Sequence, residues 1–163
     1  MVTKVKRAIF AILIIIVCAI IFSFSSQNSE KSSSTSGGIV SKIVNFIVKD
    51  GDKVKKESIT NTVTFWVRKM AHFSIYTLLG IFLMNEANTF NATNKKRLIV
   101  CLIFGILYAA SDEFHQRFVS GRSAEIRDVL IDSSGVLFGC ILVIVFGKII
   151  FLIKNQIKKK QVE

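Results

Sequence analysis

The sequence predicts an all-α integral membrane protein: a four-transmembrane-helix bundle with a polar pocket at its extracytoplasmic end. Composition is the first observation behind this. The chain has 163 residues, 51% of them hydrophobic, and a mean hydropathy of +0.51, which is membrane composition for a single small domain. The second is the presence of four apolar stretches, residues 8–24, 70–85, 98–111 and 129–153. The third is the segment "DEFHQRFVSGRSAEIRDVLIDSSG", residues 112–135, which crowds acids, arginines and a histidine between two of those stretches. Charge at a membrane boundary is costly and usually has a structural partner or a chemical task.

A net charge of +11 raises nucleic acid as a partner. The lysines and arginines, however, cluster beside apolar runs, as juxtamembrane charge does. The lipid bilayer is therefore the expected partner and nucleic acid is not. Cys18, Cys101 and Cys140 fall in three separate apolar runs and read as small buried hydrophobes rather than a disulfide framework or a zinc site.

The first span follows Lys4, Lys6 and Arg7. A signal peptide is the alternative reading, but the apolar core is longer than a signal core, which favours an uncleaved anchor. After it, "SSQNSEKSSSTSGG" reads as a loop. "IVSKIVNFIV" then places Ile39, Ile43, Val44 and Ile47 on one face of a helix, either lying along the membrane surface or covering the end of the bundle. "KDGDKVKKES" reads as a solvated turn.

The third apolar stretch has about 14 residues, roughly 21 Å of helix, against a hydrocarbon core of about 30 Å. It must therefore continue into "DEFHQ". The second span reaches full length only by starting near Arg68, and the fourth places Asp128 at the boundary with Asp132 one turn deeper. The expected division is residues 1–24 as N-terminal tail and first span, 25–69 as an extracytoplasmic segment with an interfacial helix, 70–153 as a three-helix core, and 154–163 as a basic tail. Basic clusters at the N-terminus, at Lys95–Arg97 and at Lys158–Lys160 share one side, which the positive-inside rule assigns to the cytoplasm. Both termini are then cytoplasmic, and residues 25–69 and 112–128 face outward.

Helical spacing sets Arg68, His72, Tyr76 and Gly80 in one stripe, and Asp128, Asp132, Gly135 and Gly139 in another. The glycines permit close approach of a neighbouring backbone. Tyr108, Asp112 and His115 align on the third span. Catalytic candidates are His72, Asp112, Glu113, His115, Asp128 and Asp132, since a carboxylate beside a histidine suits proton transfer. Candidate ligand-binding residues are Arg68, Tyr76, Gln116, Arg122 and Arg127, the guanidinium fork being suited to phosphate or carboxylate.

No metal-ligand spacing, P-loop, cofactor fingerprint or nucleophile elbow occurs, so no metal or cofactor is expected. Three readings stay open: a pocket recognising an anionic molecule, an enzyme acting on a lipid-linked substrate at the same place, or a non-catalytic bundle whose charges are internal ion pairs such as Glu113 with Arg117. No signature of an oligomeric state is present.

"RKMAHFSIYTLLG" and "SDEFHQRFVSGRSAEIRDVLIDSSG", with the upstream "FSSQNSEKSSSTSGG", resemble the VanZ-like family of small bacterial membrane proteins. The resemblance runs from about Phe22 to Gly139 and rests on His72, Asp112, Glu113, Gln116, Arg122 and Asp128; many family members carry asparagine where this chain has Asp132. It implies a multi-pass protein of the bacterial cytoplasmic membrane, acting in the cell envelope. It further implies an association with resistance to the glycopeptide teicoplanin, with an anionic envelope lipid, a cell-wall precursor or the glycopeptide itself as partner.

Overall fold

The computed structural model describes residues 2–27, 29–48, 53–122 and 125–160. They form five helices: α1 (Val2–Ser25), α2 (Ser29–Ile47), α3 (Lys53–Ala87), α4 (Asn94–Gln116) and α5 (Ile126–Lys160). Three are long and apolar enough to cross a membrane, over Thr3–Ser25, Asn94–Gln116 and Ile126–Lys159. Much of their surface is bare Ile, Leu, Val and Phe, for example Ile15, Val100, Leu107 and Phe151, a surface stable only in lipid. The second expected span lies within α3, which does not reach the same apolar threshold because polar residues share its length.

α3 is the hub and packs against α1, α2, α4 and α5. α1 and α4 run one way, α3 and α5 the other. Small residues explain how closely α3 and α5 meet. A side chain on Gly139 would overlap the Thr77 carbonyl oxygen, one on Gly80 the Val136 carbonyl, and one on Gly135 would come within 2.6 Å of the Phe73 carbonyl. The glycine stripes expected from spacing are thus the α3–α5 seam, and backbone approach replaces side-chain interdigitation there. Val136 in turn fills the notch at Gly105 of α4. In α1, Val17, Ile21 and Ser25 recur every four residues and form its buried edge.

α4 extends through Gln116, as bilayer thickness required. It starts at an N-cap in which the Thr93 hydroxyl accepts from the Lys96 amide, satisfying one of the free donors of the first turn. At this end of the bundle, Arg7 donates to the Thr89 hydroxyl at 2.9 Å and its carbonyl at 2.8 Å, and lies 4.1 Å over the Phe90 ring. Arg97 donates to Asn88 and to the Phe90 carbonyl. Two arginines therefore tie the α3–α4 turn to α1 and α4.

Several expectations are corrected. The serine-rich stretch is helical from Ser29, because α2 docks on α3 and tertiary packing overrides the weak helix preference of serine and glycine. Among the described residues its buried side chains are Val40 and Val44, while Ile39, Ile43 and Ile47 remain exposed, so only Val44 of the expected stripe is buried. In the solvated turn read at "KDGDKVKKES", residues 49–52 lie outside the described residues, and the chain is helical from Lys53. That start adds four turns to α3 ahead of Arg68. The basic C-terminal segment is helical through Lys160 and continues α5; residues 161–163 lie outside the described residues.

Candidate functional site

At the end opposite Arg7, polar side chains from four helices meet. α3 supplies Arg68, Lys69, His72 and Tyr76; α4 supplies Asp112, Glu113 and Gln116; α5 supplies Asp128 and Asp132; α1 ends there with Ser25. Glycine makes this possible, since the close α3–α5 seam holds the polar turns of both helices at one level. Asp112, Glu113, Gln116 and Asp132 are each at most 4% exposed, and Tyr76 and Ser25 are fully buried. Burying such groups demands partners.

Those partners are partly present. Lys69 forms an ion pair with Asp128. His72 Nδ1 lies 3.6 Å from Asp132 Oδ2. Gln116 donates through Nε2 to Asp112 Oδ2 at 3.3 Å and accepts from Arg122 at 3.2 Å. Glu113 accepts the backbone N–H of Glu125 at 3.0 Å, which ties the start of α5 to the end of α4. The α4–α5 loop turns at Gly121, whose φ of 74° is left-handed and costs glycine little. Arg122 also donates to the Phe24 carbonyl at 3.3 Å. Burial, then the nearby Arg68 guanidinium, lowers the Arg122 pKa, and Asp112, Glu113 and Asp128 oppose the shift; the group stays charged.

Other expected residues lie outside this network. His115 turns toward α1, 3.2 Å from Ser26 Oγ and 4.6 Å from the Phe22 ring. Arg127 is exposed, donates to Glu125 and lies 5.2 Å over the Phe65 ring. Glu113 meets the Glu125 amide rather than Arg117. Tyr108 donates to the Cys18 carbonyl at 2.7 Å. Conversely, Lys69 and Ser25 were not singled out as site residues by spacing. Ser25 continues the Val17–Ile21 stripe by one turn, and that was its only signal.

Beside the network lies a groove of about 510 Å³ between α1, α2 and α3. Its wall is apolar, with Ile21, Phe24, Ile39, Ala71, Ile75 and Leu78, and Arg68, His72 and Arg122 stand at one side. A smaller cavity of about 20 Å³ is lined by Arg68, His72, Gln116, Arg122, Asp128 and Asp132. Apolar walls with a few convergent polar groups are what a binding site for a small amphiphile needs.

No curated protein and no solved structure is matched by the chain. The model of one family, described as VanZ/LLP1, matches residues 10–147. That range takes in most of α1 and the whole polar network. This multi-pass helical membrane protein belongs to the VanZ/LLP1 family.

Proposed function

We propose that the chain is a cell-envelope protein of the bacterial cytoplasmic membrane with four crossings, the fourth being the part of α3 from Arg68 onward. Support comes from matched heights: Arg7 meets Thr89 at one end, and Ser25 meets the Asp112 network at the other. The 19 residues 7–25 of α1 span about 28 Å, close to the hydrocarbon thickness, and α3 runs beside them throughout. Basic residues at Lys4, Lys6, Arg7 and Lys95–Arg97 gather at the end away from the network, so the positive-inside rule directs the network outward.

At that outward end the protein binds an anionic envelope lipid. The observation that carries this reading is the groove, whose apolar wall and two guanidiniums share one space. Arg68 and Arg122 take the anionic group, and the tail lies along Ala71, Ile75 and Leu78. The carboxylates and Gln116 position the guanidiniums, and the Lys69–Asp128 pair keeps Lys69 from competing for the ligand.

Native mass spectrometry of the purified chain tests this with phosphatidylglycerol and phosphatidylcholine supplied equally. Wild type retains phosphatidylglycerol in preference, Arg68→Gln with Arg122→Gln loses the preference, and Ala71→Trp lowers retention of both lipids. Equal retention of the two lipids by wild type overturns the reading. Teicoplanin susceptibility of a Gram-positive host tests the connection to glycopeptides. Wild type should protect, while Asp112→Asn, His72→Ala and Arg122→Ala at equal membrane levels should not; equal susceptibility in every strain removes that connection.

A further inference from the structure

One imidazole nitrogen of His72 and one carboxylate oxygen each of Asp112 and Asp132 lie within 4.8 Å of one another. The three side chains come from α3, α4 and α5, so no spacing along the sequence announces them. We propose that they hold one divalent transition-metal ion of the Mn²⁺ or Zn²⁺ class.

The first ground is unmet bonding capacity. Asp112 and Asp132 are 3% and 1% exposed, yet among the described residues Asp112 Oδ1 and Asp132 Oδ2 make no hydrogen bond; their neighbours are the Ser25 and Tyr76 hydroxyls beside Asp112 and His72 Nδ1, 3.6 Å from Asp132 Oδ2. Of the three fixed cations nearby, two are engaged elsewhere and Arg68 also lines the groove. Lys69 is on Asp128, and Arg122 is on Gln116 and the Phe24 carbonyl. Buried carboxylate oxygens without donors are costly, and a cation placed between them satisfies both. Metal bonds of about 2.0–2.2 Å put neighbouring ligand atoms about 3–3.5 Å apart, a modest contraction from the present spread.

The donor set selects the ion. One nitrogen and two oxygens suit Mn²⁺ or Zn²⁺ better than Ca²⁺ or Mg²⁺, which favour all-oxygen shells, and the absence of thiolate from the trio disfavours Cu⁺. Gln116 donates to Asp112 Oδ2, orienting that carboxylate as outer-shell partners do and leaving Oδ1 for the ion. Three protein ligands leave a position open. The adjoining cavity of about 20 Å³ exceeds the roughly 10–15 Å³ that one water requires, so a metal-bound water fits there, facing Arg68 and Arg122. The ion needs no ligand from the groove to hold it, although His72 stands at the side of both.

The test uses the full chain in lipid nanodiscs, stripped with chelator and titrated with Mn²⁺ while free Mn²⁺ is followed by electron paramagnetic resonance. Wild type should bind one equivalent, displaced by Zn²⁺, and His72→Ala with Asp132→Ala should weaken binding at least about tenfold. The chain has two histidines, so His115→Ala leaves His72 as the sole imidazole without disturbing the trio. An imidazole nitrogen coupling to bound Mn²⁺ in that variant identifies His72 as the ligand, whatever the double variant does to folding. Absence of stoichiometric Mn²⁺ in wild type, or no nitrogen coupling in His115→Ala, overturns the proposal.

Discussion

Gly139 of α5 packs directly on the Thr77 carbonyl of α3, leaving no room for a side chain between the two helices. Gly139→Ala should therefore destabilise the protein by about 1–3 kcal/mol, the usual cost of overpacking a close contact. Gly37→Ala is the control, since a side chain there meets none of the described residues within 4 Å, and it should leave stability unchanged or raised. Thermal unfolding in one detergent compares them; equal melting temperatures would show that the seam tolerates a wider separation.

Lys69 and Asp128 are both largely buried, with 18% and 14% side-chain exposure. Lys69→Met and Asp128→Asn should each destabilise by stranding the other charge, and the double variant should recover part of the loss. A coupling energy of about 0.5–3 kcal/mol is expected from contacting partners. Additive losses in the cycle would mean that the two charges act separately.

Arg7 fastens the start of α1 to the α3–α4 turn through two hydrogen bonds to Thr89. Arg7→Ala should cost about 1.5–3 kcal/mol, as bonds from a charged donor do. Protease resistance of the α3–α4 turn should fall with it. An unchanged cleavage rate would show that α1 is held by its apolar stripe alone.

The outward orientation proposed for the α4–α5 loop predicts that Ser120→Cys, in a variant with the three native cysteines replaced, reacts with an impermeant maleimide on intact cells. Labelling only after permeabilisation would invert the topology and with it the source of any ligand.

Where periodicity met a hard steric or dimensional limit, the sequence was readable. Gly80, Gly135 and Gly139 marked a seam because small residues every four positions have one use between membrane helices. The extension of α4 through Asp112 to Gln116 followed from the thickness it has to cross. Where the outcome depends on which neighbour lies opposite, it was not. His115 sits one turn beyond Asp112, yet the angle between them carries it to Phe22 of α1. Lys69, adjacent to Arg68, takes the ion pair because it points at Asp128 across the seam. The first half of α2 looked like a loop because serine-rich composition carries no record of the α3 surface that receives Val40 and Val44 of the second half.

The order in which the helices leave the ribosome bears on how α3 gathers its neighbours. α1 emerges before α3, its main partner, so it must wait in the bilayer without it. α3 then enters with its polar turn unanswered, and its most extensive partner, α5, follows later. Asp112 and His72 thus reach the membrane before Asp132 exists. Until α5 is made the polar turn is incomplete, and a chain halted before it leaves open the α3 face that α5 covers.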